Sequence, residues 1–94
     1  MRRDPCTGLY YPYYRICTWV WDKKREEYER YTAYTTQSKN TAIEIVRNMP
    51  VNADVPQIDI YEEQFESCEH IAIKESYDGD PSEAFYNPFT NEDL

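Results

Sequence analysis

The chain has 94 residues and a formal net charge of -8, is 40% hydrophobic and 16% aromatic, and contains two glycines and three cysteines. This length predicts one small domain, and the aromatic content predicts that it folds, since acidic chains poor in aromatic residues stay disordered. The negative charge disfavours direct binding to nucleic acid, the two glycines exclude a glycine-rich phosphate loop, and no stretch is long and apolar enough to span a membrane.

The cysteines indicate the cellular compartment. Cys6, Cys17 and Cys68 are an odd number at wide spacing. They match neither a disulfide framework nor the paired spacing of a zinc site, and this usage is typical of a reducing compartment. No apolar run follows Arg2 and Arg3, so no secretory signal is predicted. We expect a cytoplasmic protein without a metal or a cofactor.

The first part of the chain predicts an arm followed by a β-hairpin. Residues 1–12 contain prolines and a glycine, which favour an irregular arm. Residues 13–21 are rich in aromatic and β-branched side chains with apolar groups on both sides, which is typical of a central strand. Residues 28–36 predict the second strand, although the run from Glu26 to Tyr31 also fits a helix.

One helix is predicted at residues 39–49. Ser38 fits an N-cap, and the residues after it are apolar at helical spacing up to a proline that ends the helix. This stripe and its proline are Ala42, Ile45, Val46, Met49 and Pro50. The stripe is expected to pack on one face of the sheet.

A second hairpin is predicted at residues 57–63 and 68–76. Ile58 and Ile60, and then Ile71 and Ile73, repeat with the period of two that marks half-buried strands. The resulting fold is α+β, with a four-stranded antiparallel sheet of two hairpins and one helix on a face, in the order ββαββ over residues 13–76.

Residues 77–94 predict an irregular tail, because Gly79, Pro81 and Pro88 interrupt any long regular element. Three aromatic residues in this segment are too apolar for a free tail. They are Phe85, Tyr86 and Phe89. We expect them either to dock near Trp19 and Trp21 or to contact a partner.

The acidic residues are concentrated in the second half of the chain. Residues 54–94 hold twelve acids against the single cation Lys74, a local charge of -11, whereas residues 1–53 hold six acids and nine bases, a charge of +3. If the isoleucines face the core, Asp59, Tyr61 and Glu63 form an outward row on one strand. The predicted partner-binding surface is Asp59, Tyr61, Glu62, Glu63, Phe65, Glu66, Glu69, Asp78 and Asp80. A second interpretation stays open, in which acids at strand edges only keep the sheet soluble.

Catalytic patterns are weak. Cys68 and His70 share a strand face, but no third catalytic group and no second Cys-His pair accompany them, and the surrounding charge is negative. The metal-dependent nuclease pattern also fails, because Ala72 stands where an acid is required before Lys74. We therefore expect a protein that is not an enzyme, with a small enzyme that uses Cys68 and His70 as a lesser alternative.

An acidic surface on a strand-helix-strand domain resembles the small inhibitors that phages encode against host nucleic-acid enzymes, notably anti-CRISPR proteins. The residues that carry this resemblance are Asp59, Glu62, Glu63, Glu66, Glu69 and the acidic tail from Asp78. The resemblance implies a basic nucleic-acid-binding partner, such as the CRISPR effector Cas9, whose lysines and arginines hold the nucleic acid. The rival interpretation is an immunity or antitoxin-like protein that neutralises a nuclease toxin.

Overall fold

A computed structural model describes residues 2–76 and 83–94, and these contain one helix and a five-stranded antiparallel sheet. The elements are β1 (Tyr13–Asp22), β2 (Glu27–Thr36), α1 (Lys39–Asn48), β3 (Gln57–Gln64), β4 (Ser67–Ser76) and β5 (Glu83–Tyr86). The strand order across the sheet is β2-β1-β3-β4-β5. The α+β class is therefore confirmed. Within the described ranges, no helix is long and apolar enough to cross a membrane.

Both predicted hairpins are present. β1 pairs with β2 on one side and with β3 on the other, which confirms its central position and the strand interpretation of the second segment. Ile16 lies opposite Tyr34 in β2 and Ile60 in β3. The β1 and β2 registers shift just after this point, so that Ala33 is an extra, bulged residue.

The helix packs on one face of the sheet, as its sequence predicts. The Ser38 side chain accepts a hydrogen bond from the Thr41 amide, and the helix ends at Asn48, one residue before the predicted end. Ala42 and Val46 are fully buried. The buried apolar residues that form the core are Ile16, Ala42, Val46, Val51, Ile58, Ile60, Ile71 and Ala72. We call this side of the sheet the helix face, and the other side the open face.

The C-terminus of α1 is held by a buried lysine. Lys74 of β4 is only 4% exposed, and its ammonium group donates hydrogen bonds to the carbonyl oxygens of Val46, Arg47 and Met49. These carbonyls include helix-end acceptors that have no partner inside the helix, and a cation is favoured at this end of the helix dipole. The one cation of the acidic stretch is therefore turned inward.

The expected four strands are one too few, because Glu83–Tyr86 forms β5 within the predicted tail. β5 pairs with residues 73–76 of β4. Phe85 packs against the core of the helix face and not beside the tryptophans, whereas Phe89 is 71% exposed. The predicted site residues Asp78 and Asp80 lie outside the described residues.

The expected orientation of the second isoleucine pair was wrong for Ile73. Ile60 pairs with Ala72 and Tyr61 pairs with His70, so that Ile71 is a bulged residue between them. Ile71 joins the core, but Ile73 lies opposite the open-face residue Asp59. A bulge changes which face the later residues occupy, and simple alternation does not reveal it.

Candidate functional site

The turn between β3 and β4 gathers the acids expected to bind a partner. We call residues 62–69 the acidic tip. Glu62 and Glu69 lie directly opposite each other across the strand pair, and Glu66 occupies the turn with a positive φ of 67°. Glu66 and Glu69 are exposed, and Glu62 is half-buried. The hairpin end therefore brings these three carboxylates together with Glu63, the fourth acid of the tip.

The charges of the acidic tip are only partly neutralised. The Arg15 guanidinium lies 2.5 Å from a carboxylate oxygen of Glu63, whose side chain is 15% exposed. In the described part of the chain, no ion pair involves Glu62, Glu66 or Glu69. Like charges directly opposite on neighbouring strands destabilise a sheet, so the Glu62–Glu69 pair opposes folding.

Phe65 stands at the end of the acidic tip and is braced by the N-terminal arm. Its side chain is 46% exposed, the Arg2 guanidinium lies 4.0 Å from its ring centroid, and the Tyr11 ring meets it edge-on at 6.0 Å. The arm itself is tied down by Asp4, which accepts a hydrogen bond from the Tyr13 hydroxyl. Phe65 is thus an ordered apolar group beside the carboxylates, and Arg2 offsets part of their charge.

Asp59 is not an exposed member of the acidic surface, which corrects the expectation of an outward row. It points to the open face but is only 1% exposed. Its carboxylate accepts hydrogen bonds from the Trp19 indole N–H at 2.8 Å and the Gln57 amide at 2.9 Å, and it lies 3.1 Å from Nε2 of His70. Neighbouring side chains therefore cover it, and it serves as an internal acceptor.

Tyr61 also belongs to the open face. Its ring stacks on His70 with centroids 4.7 Å apart, and the Arg30 guanidinium donates a hydrogen bond to its hydroxyl at 3.3 Å. Burial raises the pKa of the Tyr61 hydroxyl, and the nearby charge of Asp59 adds to this effect. Tyr61 is half-buried, so it offers a partner less area than its sequence position indicates.

Cys68 and His70 lie on the open face, as expected, opposite Glu63 and Tyr61. The structure supplies the third group that the sequence lacks, because Asp59 lies at hydrogen-bond distance from His70. No hydrogen bond within residues 2–76 and 83–94 joins the exposed Cys68 to His70, and no cluster there could hold a metal ion. The thiol thus has no base in contact with it in this conformation.

Sequence reasoning missed the aromatic and cationic contacts of the open face. The Arg30 guanidinium lies 6.0 Å from the Trp19 ring and 5.5 Å from the Tyr61 ring. The hairpin register could have indicated one of these contacts, since Trp19 lies directly opposite Arg30.

No protein-family model, curated protein or solved structure matches the chain, so its own geometry must support any function.

Proposed function

We propose that this protein is a stoichiometric inhibitor of the anti-CRISPR kind, and that its acidic tip occupies a basic nucleic-acid groove of a CRISPR effector such as Cas9. The observation that carries the proposal is the Glu62–Glu69 pair, in which two carboxylates face each other and no cation of the described chain pairs with them. A small domain is stable by only about 5–15 kcal/mol, and a repulsive pair lowers that stability. A role in binding a partner therefore explains the pair better than a role in folding.

The outward charge of the acidic stretch also supports the proposal. Its single cation, Lys74, is buried against the end of α1, where its ammonium group donates to backbone carbonyl oxygens. Arg15 neutralises Glu63, which leaves Glu62, Glu66 and Glu69 as the carboxylates available to a partner. Lysines and arginines that normally hold a phosphate backbone would attract these carboxylates and speed association.

Phe65 provides the short-range part of the proposed interface. Exposed charges are screened beyond about 8–10 Å at ordinary salt, so affinity needs close contacts in addition to steering. Phe65 is half-exposed next to the carboxylates and held in place by Arg2 and Tyr11. An ordered aromatic group of this kind is a common anchor at protein interfaces.

The test is displacement of labelled target DNA from a Cas9–guide RNA complex. The parent protein should displace the DNA, and the variant Glu62→Lys/Glu66→Lys/Glu69→Lys should not. A matched control, Glu26→Lys/Asp54→Lys/Glu92→Lys, makes the same change in net charge at exposed carboxylates outside the tip and should still displace the DNA. Raising the salt concentration should slow association of the parent.

Three results would contradict the proposal. Equal displacement by both triple variants would show that the tip is not the contact surface. Association of the parent at a rate that salt does not change would remove the electrostatic mechanism. Failure against the Cas9 complex, together with inhibition of a nuclease toxin, would favour the immunity-protein interpretation.

A further inference from the structure

A pocket of about 420 Å³ lies on the open face, at the end of the β3–β4 hairpin away from the acidic tip. Its lining among the described residues is Trp19, Tyr28, Pro56, Gln57, Glu75 and Ser76. Trp19, Gln57 and Glu75 are direct neighbours in one cross-strand row, because Trp19 pairs with Gln57 and Gln57 pairs with Glu75. The volume is within the range of about 300–1,000 Å³ that is typical of small-molecule sites.

Two walls of the pocket are fixed by the buried carboxylate of Asp59. One of its oxygens accepts the indole N–H of Trp19, and the other accepts the side-chain N–H of Gln57. Each of these two groups donates one N–H to the carboxylate, and the side-chain carbonyl oxygen of Gln57 accepts no hydrogen bond from the described residues. The pocket is therefore organised before any ligand arrives, which lowers the entropy cost of binding.

The remaining groups favour a positively charged ligand. One carboxylate oxygen of Glu75 accepts a hydrogen bond from the Tyr86 hydroxyl at 3.0 Å, and its other oxygen accepts none within the described residues. Tyr28 is 49% exposed, and it and Trp19 contribute aromatic rings. Ring faces, a carboxylate and an amide oxygen together attract cations.

Arg30 lies near one wall of the pocket but is not among its lining residues. Arg30 lies 6.0 Å from the Trp19 ring centroid, but it donates to the Tyr61 hydroxyl and lies closer to the Tyr61 ring. The Trp19 ring therefore tolerates a guanidinium group at the edge of cation–π range. The described lining itself carries one negative side chain, Glu75, and no positive one.

We infer that this pocket binds an organic cation, a guanidinium or ammonium group on a molecule about the size of arginine. The group can belong to a free small molecule or to an arginine or lysine side chain of a bound peptide. Both sources present the same chemistry, in which the cation lies against Tyr28 and Trp19 and donates to Glu75 and to the carbonyl oxygen of Gln57. The inference does not depend on the proposed inhibitor function, which uses the opposite end of the hairpin.

The experiment compares N-acetyl-arginine amide with its neutral analogue, N-acetyl-citrulline amide. Each is titrated into the isotopically labelled protein, and the indole N–H signals of Trp19 and Trp21 are followed by NMR. The arginine compound should shift the Trp19 signal saturably and bind at least about tenfold more tightly than the citrulline compound. A pentapeptide with a central arginine that binds about tenfold more tightly than the amide would identify a peptide source, and equal affinities would identify a free cation.

Variants locate the site. Glu75→Gln and Tyr28→Ala should each weaken binding of the arginine compound about fivefold or more, whereas the matched tip variant Glu69→Gln should leave it unchanged. Tyr28 is half-exposed, so its truncation tests the pocket even if Glu75→Gln disturbs folding. Equal binding of the citrulline compound, unchanged binding by the Tyr28→Ala variant, or no saturable shift below about 10 mM ligand would overturn the inference.

Discussion

The two faces of the sheet bury their residues by different chemistry. Ile58, Asp59 and Ile60 are consecutive in β3 and are 0%, 1% and 0% exposed. On the helix face, the isoleucines are covered by α1 and gain stability from the apolar area removed from water. On the open face, Asp59 is covered by polar and aromatic side chains that donate to it. Equal burial therefore does not mean equal energetics, because one face depends on packing and the other on directional hydrogen bonds.

The largest expected effect comes from the helix face. Ile60→Ala removes a fully buried side chain from the centre of the core and should lower the free energy of unfolding by about 2–5 kcal/mol. Urea denaturation measures this loss. The control Phe89→Ala removes a larger but mostly exposed side chain and should change stability by less than about 0.5 kcal/mol. A loss for Ile60→Ala no greater than the control's would contradict the packing described for this face.

On the open face, Asp59→Ala should lower the free energy of unfolding by about 1–3 kcal/mol, because the Trp19 indole and the Gln57 amide lose their acceptor. Asp59→Asn keeps one acceptor oxygen and a similar shape, so it should cost less. Urea denaturation combined with the chemical shift of the Trp19 indole proton tests both variants. A higher free energy of unfolding for Asp59→Ala would contradict this expectation, because the cost of burying the carboxylate would then exceed the stabilisation from its hydrogen bonds.

The free energy of unfolding should also depend on alkaline pH through Tyr13, which lies on the open face opposite Glu63. Burial and the hydrogen bond to Asp4 raise the pKa of Tyr13 to about 12, above its ordinary value of 10. Because the folded state favours the protonated hydroxyl, this contribution is fully present below pH 10 and is lost as pH rises towards 12. Linkage gives about 3 kcal/mol for a difference of this size.

The measurement for Tyr13 is the free energy of unfolding of the parent and of Tyr13→Phe between pH 8 and 11.5. The parent should lose stability more steeply than the variant above about pH 10. The gap between the two curves should narrow with rising pH. Parallel curves would show that Tyr13 does not contribute to the alkaline dependence.

The smallest expected effect lies at the acidic tip. Glu69→Gln removes one charge of the facing Glu62–Glu69 pair and should raise the free energy of unfolding by a few tenths of a kcal/mol, about the cost of one like-charge cross-strand pair. Thermal denaturation at low salt resolves this gain best, since salt screens the repulsion. The control Glu92→Gln should show no gain. A destabilised Glu69→Gln variant would mean that the charge supports the fold.

The elements that local patterns determine were predictable from the sequence. The apolar stripe of α1 with Ser38 before it and Pro50 after it predicted the helix to within one residue. Aromatic and β-branched residues predicted the first hairpin, and alternating isoleucines predicted the second. β5 was not predictable in the same way, because four residues contain too little alternation to mark a strand. Its pairing with the end of β4 is a tertiary contact.

For the candidate site, the sequence predicted which residues are acidic but not which are exposed. Alternation placed Asp59 opposite the core, which is correct, yet exposure depends on what lies on that face. Trp19 and His70 come from other strands and cover it. The facing of Glu62 and Glu69 follows from the two-residue turn between Gln64 and Ser67, which sets the register at the tip. The bulge at Ile71 acts beyond the tip, where it places Ile73 opposite Asp59, and no local pattern reveals it.

The position of Lys74 also affects the chemical reactivity of the chain. Lys23, Lys24 and Lys39 are exposed, whereas the Lys74 amine is held against the carbonyls at the end of α1. An amine-reactive label should therefore modify the three exposed lysines rapidly and reach Lys74 only when the helix separates from the sheet. Mass spectrometry of a single labelled peptide thus reports on detachment of the helix while the three exposed lysines serve as an internal reference for reagent activity.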